Sequence, residues 1–339
     1  MTDIKIVRTV CGFSDNPTNS DTDKINEVAK KLEENGYQVQ TKRLASTLAN
    51  AERLHAVSES AVDYTSVGAI TYDEALEFMP TFLRTDGLAF NIDLAKTDIQ
   101  QKHAELIFEI TKTNPSKTFN FTYTFNNVAS SPYFPSATYE KNGFAIGMQP
   151  TDLAAGCSSL EDWLNKMRDC WMEIDGLLKD DPGYLGIDSS IAPIGSGNSS
   201  FIHFVNRLET TFDHSSTTDF YTKITKYIKA ENPKPVGLCG MMLPCTEDVE
   251  LAAEYDKGKF TIERNIFLSL HSGLGIDTYP IGVDEDPARV VEILKLLQAL
   301  SNKYQKALSA RFVSDGKAAI GSKTDFQNQY LTDCTVRAL

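Results

Sequence analysis

Runs of β-type residues and runs with helical periodicity succeed one another along almost the whole chain, and this alternation restricts the fold more than any other feature. A β-type run at residues 4–13 precedes a stretch at 23–35 in which Ile25, Val28, Ala29 and Leu32 recur at helical spacing, with Gly36 as the stop signal. Residues 37–43 alternate as a strand, and 45–60 read as a second amphipathic helix. Strand-like runs at 66–72, 87–92 and 118–125 then alternate with helices near 72–83 and 98–112. Residues 126–150 are rich in Asn, Ser, Pro and aromatics and read as one long loop, which Tyr133, Phe134, Tyr139 and Phe144 would pack back onto the body. Helices at 158–178, 200–210, 216–230, 247–257, 261–270 and 287–304 follow, with strands at 186–188, 275–277 and 307–313. Strands separated by helices predict an α/β protein with a mainly parallel sheet and right-handed crossovers. No low-complexity linker divides the 339 residues, so one domain over 1–339 is expected.

One phrase occurs twice: Gly186-Ile187-Asp188-Ser189 running into Pro193-Ile194-Gly195, and Gly275-Ile276-Asp277-Thr278 running into Pro280-Ile281-Gly282. Each copy delivers an aspartate at a strand end, followed by a turn that continues neither strand nor helix. Strand ends in α/β proteins are where binding and catalytic groups collect. Asp188 and Asp277 are therefore the leading candidates for a site, as base and metal ligand or as acid and base.

Three further segments add candidates. Gly195-Ser196-Gly197-Asn198-Ser199 precedes a predicted helix, so its amides could cradle an anion; a plain turn with a serine cap is the simpler alternative. Glu247 and Asp248 follow Gly240-Met241-Met242-Leu243-Pro244-Cys245-Thr246, where Thr246 is placed to cap the next helix. Adjacent side chains diverge, so one of the two acids is expected to face a site. Asp188, Asp277, one of these acids and Asp284-Glu285-Asp286 could together present hard oxygen ligands to Mg²⁺ or Ca²⁺, although the triplet equally suits the start of the Pro287 helix. Lys42, Arg43 and Arg311 lie in or at the end of predicted strands and could bind a substrate anion.

The chain carries 33 Lys and Arg against 46 Asp and Glu, a formal net charge of −13, which argues against nucleic acid and anionic membrane surfaces as partners. An anionic ligand would need local positive charge. No stretch reads as a signal peptide or membrane span, and six scattered cysteines without a Cys-x-x-Cys pair read as free thiols, so a cytoplasmic protein is expected. The five histidines form no ligand pair, and the Walker and nucleophile-elbow patterns do not occur.

Several phrases resemble the family called domain of unknown function 711, or uncharacterised protein family 0210. They are Val7-Arg8-Thr9-Val10, Thr41-Lys42-Arg43, Pro132-Tyr133-Phe134-Pro135, Gly143-Phe144-Ala145-Ile146-Gly147, the stretch from Gly186 to Pro193, Gly240 to Pro244 with Glu247-Asp248, Gly273 to Thr278, and Leu308-Ser309-Ala310-Arg311 with Gly316-Lys317. The resemblance implies a closed, mainly parallel barrel of about ten strands with outer helices, similar to pyruvate formate-lyase-like barrels, with a loop threaded inside. It makes the doubled phrase a mark of half-barrel symmetry and places Asp188 and Asp277 at one end of a shared cavity. The glycyl-radical context Arg-Val-x-Gly-aromatic is lacking around Gly316 and Gly321, so radical chemistry is not implied. The expected function is an enzyme that acts on a small anionic metabolite by carboxylate acid/base chemistry with or without a metal. A non-catalytic metabolite-binding or regulatory protein is the alternative, and a homo-oligomer is a third.

Overall fold

The structure is a computed structural model that describes residues 5–58, 61–208 and 210–339. Residue 4 of the first expected strand, residues 59–60 of the second expected helix and Glu209 lie outside the described residues. The strands are β1 (Lys5–Phe13), β2 (Tyr37–Ala45), β3 (Tyr64–Ala69), β4 (Leu88–Asp93), β5 (Phe121–Phe125), β6 (Gly143–Gln149), β7 (Tyr184–Asp188), β8 (Gly275–Pro280) and β9 (Leu308–Val313). They form one sheet in the order β7-β6-β1-β2-β3-β4-β5-β9-β8. β1 to β5 pair in parallel, as do β6 with β7 and β8 with β9; the β1/β6 and β5/β9 junctions are antiparallel. The first five strands therefore run one way and the last four the other.

The two outer strands, β7 and β8, are both linked to the glycine-rich passage that leads to Glu247. Single parallel bridges join Ile187 to Pro235, Ile191 to Met241 and Gly195 to Asp248, and others join Met241 to Gly273 and Pro244 to Asp277. Met242 N donates to Ile191 O at 2.8 Å on one side, and Leu274 N donates to Met241 O at 2.9 Å on the other. Pro235 and Pro244 lack an N–H and Gly237 has a positive φ, so this run keeps the strand direction without a regular ladder.

Local chemistry accounts for the elements and for two departures from expectation. The first helix spans Asn19–Glu34, starting earlier than its apolar spacing implies, because Thr18 and Asp21 form a capping box ahead of the first buried isoleucine. Residues 143–149, expected within a loop, form β6. Six of its seven residues are buried, so the alternation that marks a half-exposed strand is missing. One sheet face carries the helices: Val7, Val10 and Leu44 join Ile25, Val28 and Leu32 in the main core. The opposite face packs Cys11, Phe13, Ala45 and Ala145 against Ala137 and Phe134 of the 126–142 loop. That loop is also tied to β4 by Asn91 Nδ2, which donates to Pro135 O at 3.1 Å, and to β6 by the Tyr133 hydroxyl, which donates to Met148 O at 2.8 Å.

Both copies of the Gly-Ile-Asp phrase lie in the four-strand group, in β7 and β8, so they do not mark one copy per half. Their glycines have a common physical cause. Gly186 and Gly275 have φ of 146° and 108°, and a Cβ would collide with the Lys234 carbonyl at the first and the Ser309 carbonyl at the second. Each glycine lets a neighbouring run of backbone come close.

Candidate functional site

Strand alternation puts Thr41 and Arg43 of β2, and Ser309 and Arg311 of β9, on the sheet face away from the helices. Two bulges add to them. Between Val7 and Thr9, β1 advances two residues while β6 advances one, and this extra residue turns Arg8 toward the same face as Cys11 and Phe13. Between Ile276 and Tyr279, β8 carries one residue more than β9, so Asp277 points at Arg311 while Ile276 and Tyr279 stay in the core. Thr278, the next residue, has a φ of 39°, a strained value for a β-branched side chain of the kind that gathers at functional sites.

These groups line a cavity of about 90 Å³, well above the ~10–15 Å³ that admits one water. Its charged lining residues are Arg8, Arg43, Arg311, Glu247 and Asp277. Aromatic rings come from Tyr64, Phe119, Tyr133 and Phe134, and Tyr330 of the C-terminal segment completes the wall. A second cavity shares Arg8, Thr41, Ile194, Glu247 and Tyr330 with the first, and residues 329–332 form its outer side.

Arg311 holds both carboxylates: Nε donates to Asp277 Oδ1 at 2.6 Å, Nη2 donates to Glu247 Oε1, and its guanidinium lies 4.9 Å from the Phe119 ring centre. Burial works against the Arg311 charge, but Asp277 and Glu247 outweigh it and raise its pKa. Burial raises the Glu247 carboxyl, opposed by Arg311 and reinforced by Asp277. Arg8 donates to neutral oxygens only, to Gln40 Oε1 at 2.9 Å, Ala192 O at 3.1 Å and Gln149 Oε1, and burial lowers its pKa to about 10 while Glu247 pulls it up. Arg43 donates to Thr41 Oγ1 at 3.1 Å and to Pro132 O at 3.4 Å, with the Tyr64 and Phe134 rings 5.5 and 5.2 Å from its guanidinium carbon. Burial lowers its pKa as well. Among the described residues, neither Arg8 nor Arg43 has a carboxylate within ion-pair distance.

Of the residues singled out from sequence, Arg43, Glu247, Asp277 and Arg311 meet in this cavity. Asp188 does not line it. Fully buried, it accepts from Ser131 Oγ, Ser190 N, Ser190 Oγ, Leu238 N and Cys239 N at 2.6–3.1 Å, and burial raises its pKa against those bonds. Asp248 turns away from Glu247, accepting from Ser200 Oγ, Phe201 N and Leu251 N, and burial raises it to about 6. Asp248 is thus the cap of the helix Val249–Asp256, while Thr246 donates to Thr278 O. Lys42 faces the other side and donates to Asn26. Gly195 reaches only the second cavity, and the amides of Gly195 and Gly197 are engaged by Glu247 O and the Glu250 carboxylate; Ser196, Asn198 and Ser199 line neither cavity. Asp286 caps its helix, and Asp284 and Glu285 accept from Ile320 N and Leu339 N. No cluster of three or more His, Cys, Asp or Glu among the described residues is arranged to hold a metal ion.

Arg8, Tyr64, Phe119 and Tyr330 have no place among the candidates from sequence. The signal for Arg8 is a bulge created by pairing with a distant strand, and Tyr330 arrives from a segment without regular structure. Fold and cavity define a mixed α/β protein with a mainly parallel sheet and an arginine-rich pocket. Residues 179–327, which carry both Gly-Ile-Asp phrases, Glu247 and Arg311, match the model of the family described as uncharacterised ACR (DUF711), the family that the motifs resemble. No curated protein matches the chain. No helix among the described residues is long and apolar enough to cross a membrane.

Proposed function

We propose that the chain closes as a ten-staved α/β barrel similar to pyruvate formate-lyase-like barrels, with residues 235–248 as the tenth stave, and that its cavity binds a small anionic metabolite. The bridges of this run to both β7 and β8 support the closure. The observation that carries the binding is the charge of the pocket: three guanidinium groups face two carboxylates in a chain of net charge −13. Arg311 answers both acids, leaving Arg8 and Arg43 buried with neutral acceptors alone. Uncompensated buried charge costs several kcal/mol, and a bound anion would offset that cost. Glu247, whose carboxyl is raised by burial against the opposing pull of Arg311, is the group suited to exchange a proton with the ligand.

The engagement of both carboxylates by Arg311 also suits a protein that binds without turnover. Thermal-shift screening with small carboxylates and phosphates, with and without Mg²⁺ or Ca²⁺, tests binding, since a ligand raises the melting temperature by mass action. No stabilisation by any anion, or equal stabilisation in Arg8→Gln and Arg43→Gln, would remove the proposal. Conversion of the bound compound, followed by NMR and lost in Glu247→Gln, separates an enzyme from a binder.

A further inference from the structure

We infer that the ligand is a small monocarboxylic acid with an apolar body, its carboxylate seated on the guanidinium edges of Arg43 and Arg8. The inference rests on the anion-binding reading and narrows it. The first argument is charge. With Glu247 and Asp277 both ionised, the three guanidinium groups leave one positive charge in excess among the lining residues, which matches a monoanion, whereas a phosphate monoester or dicarboxylate would leave net negative charge among largely buried groups.

The second argument is the shape of the donor set. Thr41 Oγ1 accepts from Arg43 Nε and donates to the main-chain oxygen of Arg8 at 2.7 Å, so one threonine ties the two arginines together. The Tyr64 and Phe134 rings pack beside the Arg43 guanidinium. Among the described residues no acceptor bonds its Nη2, so part of that fork remains to be answered. A planar fork with an unanswered Nη2 is suited to recognise a planar carboxylate bidentately.

The third argument is what the rest of the wall lacks. The hydroxyls of Thr41, Thr122, Tyr133, Ser136 and Ser309 each donate to a main-chain carbonyl, so these five offer a sugar or polyol no free donor. Phe119, Leu238, Met242, Leu243 and Leu274 supply apolar wall, and the volume of about 90 Å³ limits the body to a small one.

Isothermal titration of the full chain at pH 7.5 tests this with phenylacetate and 4-methylpentanoate against succinate, glycerol 3-phosphate, inorganic phosphate and phenylacetamide. The monocarboxylates should bind at least about tenfold more tightly than the dianions, and the uncharged amide should give no heat. Arg43→Gln should lose about tenfold or more in phenylacetate affinity, and Arg43→Lys should not restore it, because an ammonium cannot reproduce the fork. Arg8→Gln supplies a second variant should Arg43→Gln fold poorly. If a dianion binds most tightly, the ligand class is overturned while anion binding stands. If no anion binds, both fall. Phenylacetate binding that is unchanged in the folded arginine variants places the ligand elsewhere and overturns the inference.

Discussion

Removing Arg311 should expose the energetics of the pocket most directly. In the native protein its guanidinium answers Asp277 at 2.6 Å and Glu247, with side-chain exposures of 8% for Arg311, 16% for Asp277 and 11% for Glu247. At an effective dielectric of about 20 and about 4 Å between charge centres, each pair gains about 4 kcal/mol before desolvation. Arg311→Met leaves two carboxylates close together and largely buried without that cation, and breaking a buried pair in this way costs about 3–5 kcal/mol. The cost should depend on pH with a definite sign. The Glu247 carboxyl is already raised by burial and loses in the variant the guanidinium that opposed the rise, so the folded state keeps a proton that the unfolded chain releases. Stability is then retained below the unfolded value, ~4.3 for Glu, and lost as pH rises through the folded one. Urea unfolding of native and variant protein from pH 5 to 8 should show a gap that widens with pH. Adding Glu247→Gln and Asp277→Asn to Arg311→Met should recover much of it, because neutral amides carry no buried charge. A gap below about 1 kcal/mol at pH 8, or one constant with pH, would refute the argument.

Asp188→Asn should cost about 2–4 kcal/mol in urea unfolding, because one amide oxygen cannot satisfy five donors, yet it should leave anion affinity unchanged, since Asp188 does not line the cavity. Asp248, with its pKa raised to about 6, contributes stability that is present below about pH 4 and lost as pH rises through about 6. Asp248→Asn should therefore flatten the unfolding midpoint between pH 4 and 7, removing a slope worth about 3 kcal/mol. Gly275→Ala should lower the melting temperature by the equivalent of well over 1 kcal/mol, because the new Cβ meets the Ser309 carbonyl at a φ of 108°; an unchanged melting temperature would contradict the close approach of β8 and β9.

Most of the alternation was legible along the chain because the helices bury one stripe and their caps leave local marks. Asp286 before Pro287 and the spacing of Ile25, Val28 and Leu32 are examples. The strand β6 was not legible, since burial on both faces erases its period. Of the site, Asp277, Arg311 and Arg43 stood out as charged residues in or near strand ends, and Glu247 as an acid at a helix start. Asp188 stood out equally and does something else. Its phrase matches that of Asp277, but the 237–239 turn brings two backbone amides to the first aspartate, whereas β9 brings a guanidinium to the second.

The amino-acid sequence alone determined the α/β class, the family resemblance and the charge types available, because periodicity, capping and composition are local properties. Tertiary structure decided which of those charges share a cavity. Arg8 turns into it through a bulge set by pairing with a strand far along the chain, and Glu247 faces it because Asp248 is drawn the other way to Ser200 and the next helix. The excess of positive charge in an acidic protein arises only when strands far apart in sequence close on one space, and no local pattern encodes that sum.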